Sequence, residues 1–183
     1  MNATTKSSQA SQTTQAKLAA DDYISLLLFY QTYAETIDSG DLDAWPGLFT
    51  EDCVYKIQSR ENFDRQLPLA TMAFESRGML KDRVYCIRET LYYEPYLQRH
   101  VVGAPVVTSV TSLTPSASGD EVHARASYAV FRTKPDETTH VYNVGRYEDI
   151  LVRAPEAQHG WLLKSRVCVF DSDLILNSMI YPI

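Results

Sequence analysis

The chain has 183 residues, 45% of them hydrophobic and 22% charged, with a formal net charge of -6. That length suits one domain with a sizeable core. The negative balance gives no support to nucleic-acid or anionic-membrane binding, and no apolar run approaches the ~20 residues that span a bilayer.

Residues 1–20 are rich in Ser, Thr, Gln and Ala and lack the apolar core of a secretory signal. They read as a flexible N-terminal tail, and residues 21–183 as a single domain. Tyr23, Leu26, Leu27, Tyr30, Tyr33, Ala34 and Ile37 recur at helical spacing and predict an amphipathic first helix. Asp21 or Asp22 is placed to cap its start, and Gly40 to end it. Asp41 opens a second, short helix with Trp45, Leu48 and Phe49 inward. Cys53–Gln58 reads as a strand and Ser59–Gln66 as loop. Pro68 suits the first turn of a third helix, with Met72, Ser76, Leu80, Val84, Ile87 and Leu91 as its buried stripe.

Beyond Tyr92-Tyr93-Glu94-Pro95 the period changes. Val101–Leu113, Val122–Thr133, Thr138–Arg153 and Trp161–Asp171 alternate and are rich in Val, Tyr, Thr and Ser. Short turn-forming stretches separate them, which predicts an antiparallel meander. Pro105 and Gly145 are candidate bulges. Helices followed by a long meander give an α+β fold, a curved sheet wrapped on helices.

Local chemical motifs are absent from the sequence. His100, His123, His140 and His159 have no His or Cys neighbour at metal-ligand spacing, and there is no phosphate loop or nucleophile elbow. Cys53, Cys86 and Cys168 are widely spaced and odd in number, which fits buried small hydrophobes in a reducing cytoplasm. The best enzymatic reading puts Asp38, His100, Tyr30 and Tyr33 at the mouth of a hollow fold, for proton transfer or dehydration beside a carbonyl. The plain alternative is that Asp38 ends a helix, the tyrosines fill the core and His100 makes structural or subunit contacts. The terminus is unusually apolar. Ile175, Met179, Ile180, Tyr181 and Ile183 must bury either in the hollow or in a neighbouring subunit.

In order and spacing, several features resemble the small (β) subunits of Rieske-type aromatic-ring-hydroxylating oxygenases. They are Asp38 before the second helix, Trp45-Pro46 with Phe49, Asp82-Arg83, Arg99-His100 opening the strands, and Asp171-Ser172 before an apolar end. The salicylate 5-hydroxylase type is the nearest likeness. It rests on Arg60-Glu61-Asn62-Phe63 leading to Leu67-Pro68-Leu69, on Asp82-Arg83-Val84-Tyr85, and on Tyr96 to Gly103. Leu163-Lys164-Ser165-Arg166 and Asn177 to Ile183 add to it. Anthranilate- and terephthalate-type small subunits are similar.

The resemblance implies an NTF2-like (cystatin-like) cone and a non-catalytic subunit in a cytoplasmic α3β3 complex. It places the Rieske [2Fe–2S] cluster and a mononuclear Fe(II) in the large (α) subunit, supplied from NAD(P)H through a reductase and a ferredoxin. It leaves this chain with no catalytic, cofactor or metal residues. It points to Asp82, Arg83, Arg99, His100, Arg166, Met179, Tyr181 and Ile183 as candidate subunit contacts.

Overall fold

A computed structural model describes residues 18–111, 121–172, 174 and 178–183. Most of the expected tail, the end of the first long strand at 112–113 and Ile175 lie outside these residues. Helix α1 (Ala20–Asp38) buries Leu26, Phe29, Tyr30, Tyr33, Ala34 and Ile37, the face its periodicity predicts. Its N-cap is Ala19, with no side-chain cap. Asp21 and Asp22 sit inside the first turn instead, where the helix dipole favours them. Gly40 follows the helix at φ 78°, and its N–H donates to the Ile37 carbonyl. The expected second helix is a single 3₁₀ turn, Trp45–Leu48, with Trp45 fully buried.

Strand β1 (Phe49–Ser59) is longer than the sequence suggests. Ser59–Gln66 is not simply loop. The Ser59 hydroxyl accepts from the Asn62 N–H and opens a short helix α2 (Arg60–Asp64). Pro68 does not start a helix, because Met72–Phe74 forms strand β2, antiparallel to the free edge of β1. Helix α3 (Arg77–Tyr85) begins at Ser76, whose hydroxyl accepts from the Met79 N–H. It runs on into a π turn at Cys86–Thr90. Leu80, Val84 and Ile87 are buried as expected, whereas Leu91 is 36% exposed.

The remaining strands are β3 (Leu97–Val102), β4 (Val106–Thr111), β5 (Glu121–Thr133), β6 (His140–Arg153) and β7 (Trp161–Phe170). The strand expected from Val101 onward is β3 and β4 in series along β5, interrupted at Gly103–Pro105. The sheet order is β2-β1-β7-β6-β5-β3. The β5-β6-β7 meander is antiparallel, as predicted. The sheet as a whole is mixed, because β1 runs parallel to β7.

Gly145 marks no bulge. The register shifts instead by one residue at Tyr142, between Val130↔Asn143 and Phe131↔Val141. Gly145 answers a different need: a Cβ there would collide with the Val169 carbonyl oxygen and lie 2.9 Å from the Phe170 Cα. β6 and β7 approach too closely for any other residue.

Candidate functional site

Two inner positions of the meander carry opposite charges. Asp149 on β6 shares a face with Tyr147 and Leu151. Arg166 on β7 shares one with Cys168 and Phe170. The register sets Asp149 directly opposite Arg166. Arg166 is fully buried, and two of its nitrogens donate to the two Asp149 oxygens at 2.9 and 2.7 Å. The Tyr30 hydroxyl donates to the same carboxylate at 2.5 Å. The guanidinium also lies over the rings of Tyr33 and Tyr147, 3.9 and 4.0 Å from their centroids. Burial opposes its charge, but Asp149 and the neighbouring tyrosines outweigh that and hold its pKa well above the ordinary value. Burial pushes the Tyr30, Tyr55 and Tyr147 phenols well above theirs, and the Asp149 charge adds to this for Tyr30. These phenols stay neutral: Tyr30 and Tyr55 donate to Asp149 and Ile183, whereas the buried Tyr147 hydroxyl has no partner among the described residues.

The polypeptide closes over this cluster. The Ile183 main-chain oxygen accepts from Tyr33 at 2.8 Å and from Tyr55 at 3.2 Å, and the Ile183 N–H donates to the Tyr55 oxygen at 2.9 Å. Arg83 donates to the Met179 and Ile180 carbonyls at 3.1 and 2.7 Å. Tyr181 pairs with Tyr93 at 2.8 Å through their hydroxyls. Met179 and Ile183 join the main core. Of the two fates open to the apolar terminus, Met179 and Ile183 take the interior, Ile180 and Tyr181 are partly covered, and Leu174 stays 82% exposed.

Asp38 and His100 do meet. The Asp38 carboxylate accepts from the His100 N–H at 2.7 Å and is 2.6 Å from its Nδ1, and both side chains are almost wholly buried. Arg99 approaches the same carboxylate at 3.7 Å. The pair fixes β3 to the end of α1. Tyr30 and Tyr33 are committed elsewhere, to Asp149 and Ile183, so the four residues of the enzymatic reading do not form one site.

Among the described residues a cleft of about 730 Å³ opens between the end of α1, the π turn, β3 and the β5–β6 turn. Tyr93, Tyr96 and Tyr181 line it, as does Asp38, whereas His100, Tyr30 and Tyr33 do not.

Among the other expected contact residues, Asp82 and Arg99 are exposed, Arg83 and Tyr181 are partly covered, and His100, Arg166, Met179 and Ile183 are buried within the chain. Among the described residues no three His, Cys, Asp or Glu side chains gather as a metal would require. A Rieske cluster needs two Cys and two His, and a mononuclear oxygenase iron typically two His and a carboxylate. This donor set fits neither.

Comparison with known proteins agrees with the fold. The SnoaL-like domain family matches residues 19–167. The terephthalate 1,2-dioxygenase terminal oxygenase component subunit beta 2 of a Comamonas species is 32% identical, over 87% of this chain and 97% of its own. The anthranilate 1,2-dioxygenase small subunit of Burkholderia cepacia is 29% identical, over 88% of this chain and 94% of its own. Among solved structures, the β subunit of a candidate aromatic-ring-hydroxylating dioxygenase from Novosphingobium aromaticivorans superposes with a TM-score of 0.73 at 36% identity. That match covers 88% of this chain and 96% of the other.

Proposed function

We propose a function from one premise: the chain belongs to the SnoaL-like domain family and, within it, to the small subunits of aromatic-ring-hydroxylating dioxygenases. Its part in an oxidoreductase complex is structural. It braces a large subunit that holds the Rieske [2Fe–2S] cluster and the mononuclear Fe(II), in a cytoplasmic α3β3 assembly fed from NAD(P)H through a reductase and a ferredoxin. The observation that carries this reading is the occupied cone. Where an enzyme of this shape would keep a hollow, Arg166 and Tyr30 bind Asp149, and Tyr33 and Tyr55 are tied to Ile183. Every phenol near the centre is held neutral by burial.

The ring hydroxylated is an aromatic acid. We favour salicylate, converted to gentisate by 5-hydroxylation, because of the likeness in Arg60 to Phe63, Tyr96 to Gly103 and the terminal stretch. Anthranilate- or terephthalate-type chemistry is equally compatible with the relatives' names. Direct contact with the large subunit falls to the exposed members of the expected set, Asp82 and Arg99. Arg99 offers planar, multidentate donors to a partner carboxylate or carbonyl. Arg83, His100, Arg166, Met179, Tyr181 and Ile183 shape that surface from behind.

Co-expression with the large subunit, followed by native mass and iron analysis, tests this. All iron should travel with the large subunit. Asp82→Lys and Arg99→Gln should weaken assembly while changing the melting temperature of the isolated chain little. Stoichiometric iron in the isolated chain, or a large subunit fully active without it, would overturn the reading.

A further inference from the structure

The cleft at the mouth of the cone has a chemistry that scaffolding does not require. One wall is aromatic: Tyr181 packs against Tyr96 at 4.8 Å and 62° and against Tyr93 at 5.6 Å and 88°. Ile37, Leu42, Ile87 and Leu97 line it as well. Its volume of about 730 Å³ lies within the range of small-molecule sites.

The polar side chains that face it are mainly donors. Gln98 is 5% exposed, and its Nε2 has no hydrogen-bond partner among the described residues. Such an orphan costs about 1–3 kcal/mol until an acceptor reaches it. Lys134 and Arg88 stand at the rim: Lys134 pairs with Glu94 and lies 3.9 Å from Glu137, and Arg88 pairs with Asp43, carboxylates that are 58%, 45% and 65% exposed. Pairs of that kind contribute little and exchange readily for a better-placed anion. The one carboxylate in the lining, Asp38, is spent on His100 and 3% exposed. The cleft therefore presents an aromatic wall of edge-to-face tyrosines, a buried amide donor and two cations, and the carboxylates in its lining and on those cations are all paired.

We infer that this cleft binds a small aromatic carboxylate, its ring against Tyr96 and Tyr181 and its oxygens toward Gln98 Nε2 and Lys134. This gives the chain a ligand site of its own, and the inference holds whichever ring the complex hydroxylates.

The probe is sodium salicylate titrated into the full chain, followed by saturation-transfer NMR and by its own fluorescence, with benzyl alcohol as the uncharged comparison. A ligand of this size should bind with a dissociation constant on the order of 0.1–1 mM, and benzyl alcohol about tenfold or more weaker. Gln98→Leu, nearly isosteric, should weaken salicylate about tenfold while leaving the melting temperature unchanged or higher, since it removes an orphan donor. Lys134→Met, at the rim, repeats the test without touching the buried layer. No saturable binding would refute the site, as would wild-type affinity in both variants. Loss of salicylate binding on adding the large subunit would assign the cleft to a partner side chain and equally overturn the proposal.

Discussion

Replacing Arg166 by Met tests whether the centre of the cone is held by charge. The substitution keeps the length of the stem and removes the guanidinium. Asp149 would then remain buried, with its side chain fully inaccessible and Tyr30 its remaining side-chain donor. Breaking a buried ion pair from one side costs about 3–5 kcal/mol, because the surviving charge has neither partner nor water. The stacking of Arg166 on Tyr33 and Tyr147 is lost as well. For a chain of this size, a loss of ~4 kcal/mol lowers the melting temperature by about 8–16 °C. Urea and thermal unfolding of the full chain, followed by circular dichroism, read this directly. The decisive comparison is the double variant Arg166→Met with Asp149→Leu. It removes both charges and should recover a large part of the loss. The reasoning fails if the single variant loses less than about 1 kcal/mol, or if the double variant is no more stable than the single one.

Arg83→Met removes two charged hydrogen bonds to the Met179 and Ile180 carbonyls. It should cost about 2–3 kcal/mol and raise amide exchange at 179–183 well before the sheet opens. Gly145→Ala forces a methyl group against the β7 backbone, and a loss of more than about 2 kcal/mol is expected in chemical denaturation. Alkaline pH should unfold the chain. Burial pushes the Cys168 thiol from 9.0 up to about 12, and the buried tyrosines also titrate above their ordinary range. Between these values the unfolded chain has lost protons that the folded chain keeps, so stability falls as pH rises above about 9. Melting temperatures measured from pH 7 to 11 should hold nearly level at first and then decline steadily above about pH 9. A flat profile would mean that these groups are solvated.

Helix α1 was legible because seven apolar residues share one period and Gly40 closes it, features that need no knowledge of the rest of the chain. The β5-β6-β7 meander was legible for the same reason, since short turns leave hairpins as the simplest connection. The segment between Ser59 and Ser76 was not. A five-residue helix is too short to show a period, and Pro68 looks alike in a loop and in a first helical turn. What decides it is the free edge of β1, which recruits Met72–Phe74. Arg166 is a candidate contact only through the resemblance at Leu163-Lys164-Ser165-Arg166, and its full burial is rare for an arginine. A sharper signal was present: Arg166 alternates with Cys168 and Phe170, and Asp149 with Tyr147 and Leu151. Opposite charges at inward positions of adjacent strands suggest a buried pair. Pairing of Asp38 with His100 joins residues 62 apart in sequence, and no local pattern reveals such a distance.

The parallel pairing of β1 with β7 has a consequence for biosynthesis. The Cys168 thiol contacts the Tyr55 hydroxyl across 113 residues of sequence, so β1 emerges from the ribosome long before its central neighbour exists. At roughly 5–20 residues per second that interval is about 6–23 s. Throughout it the nascent chain offers an unpaired strand edge that holds Val54, Tyr55 and Ile57. Only β2 is available to cover one side of it. Overproduction should therefore favour aggregates nucleated at β1, and slower synthesis or an early chaperone should raise the soluble yield more than any change at the finished surface.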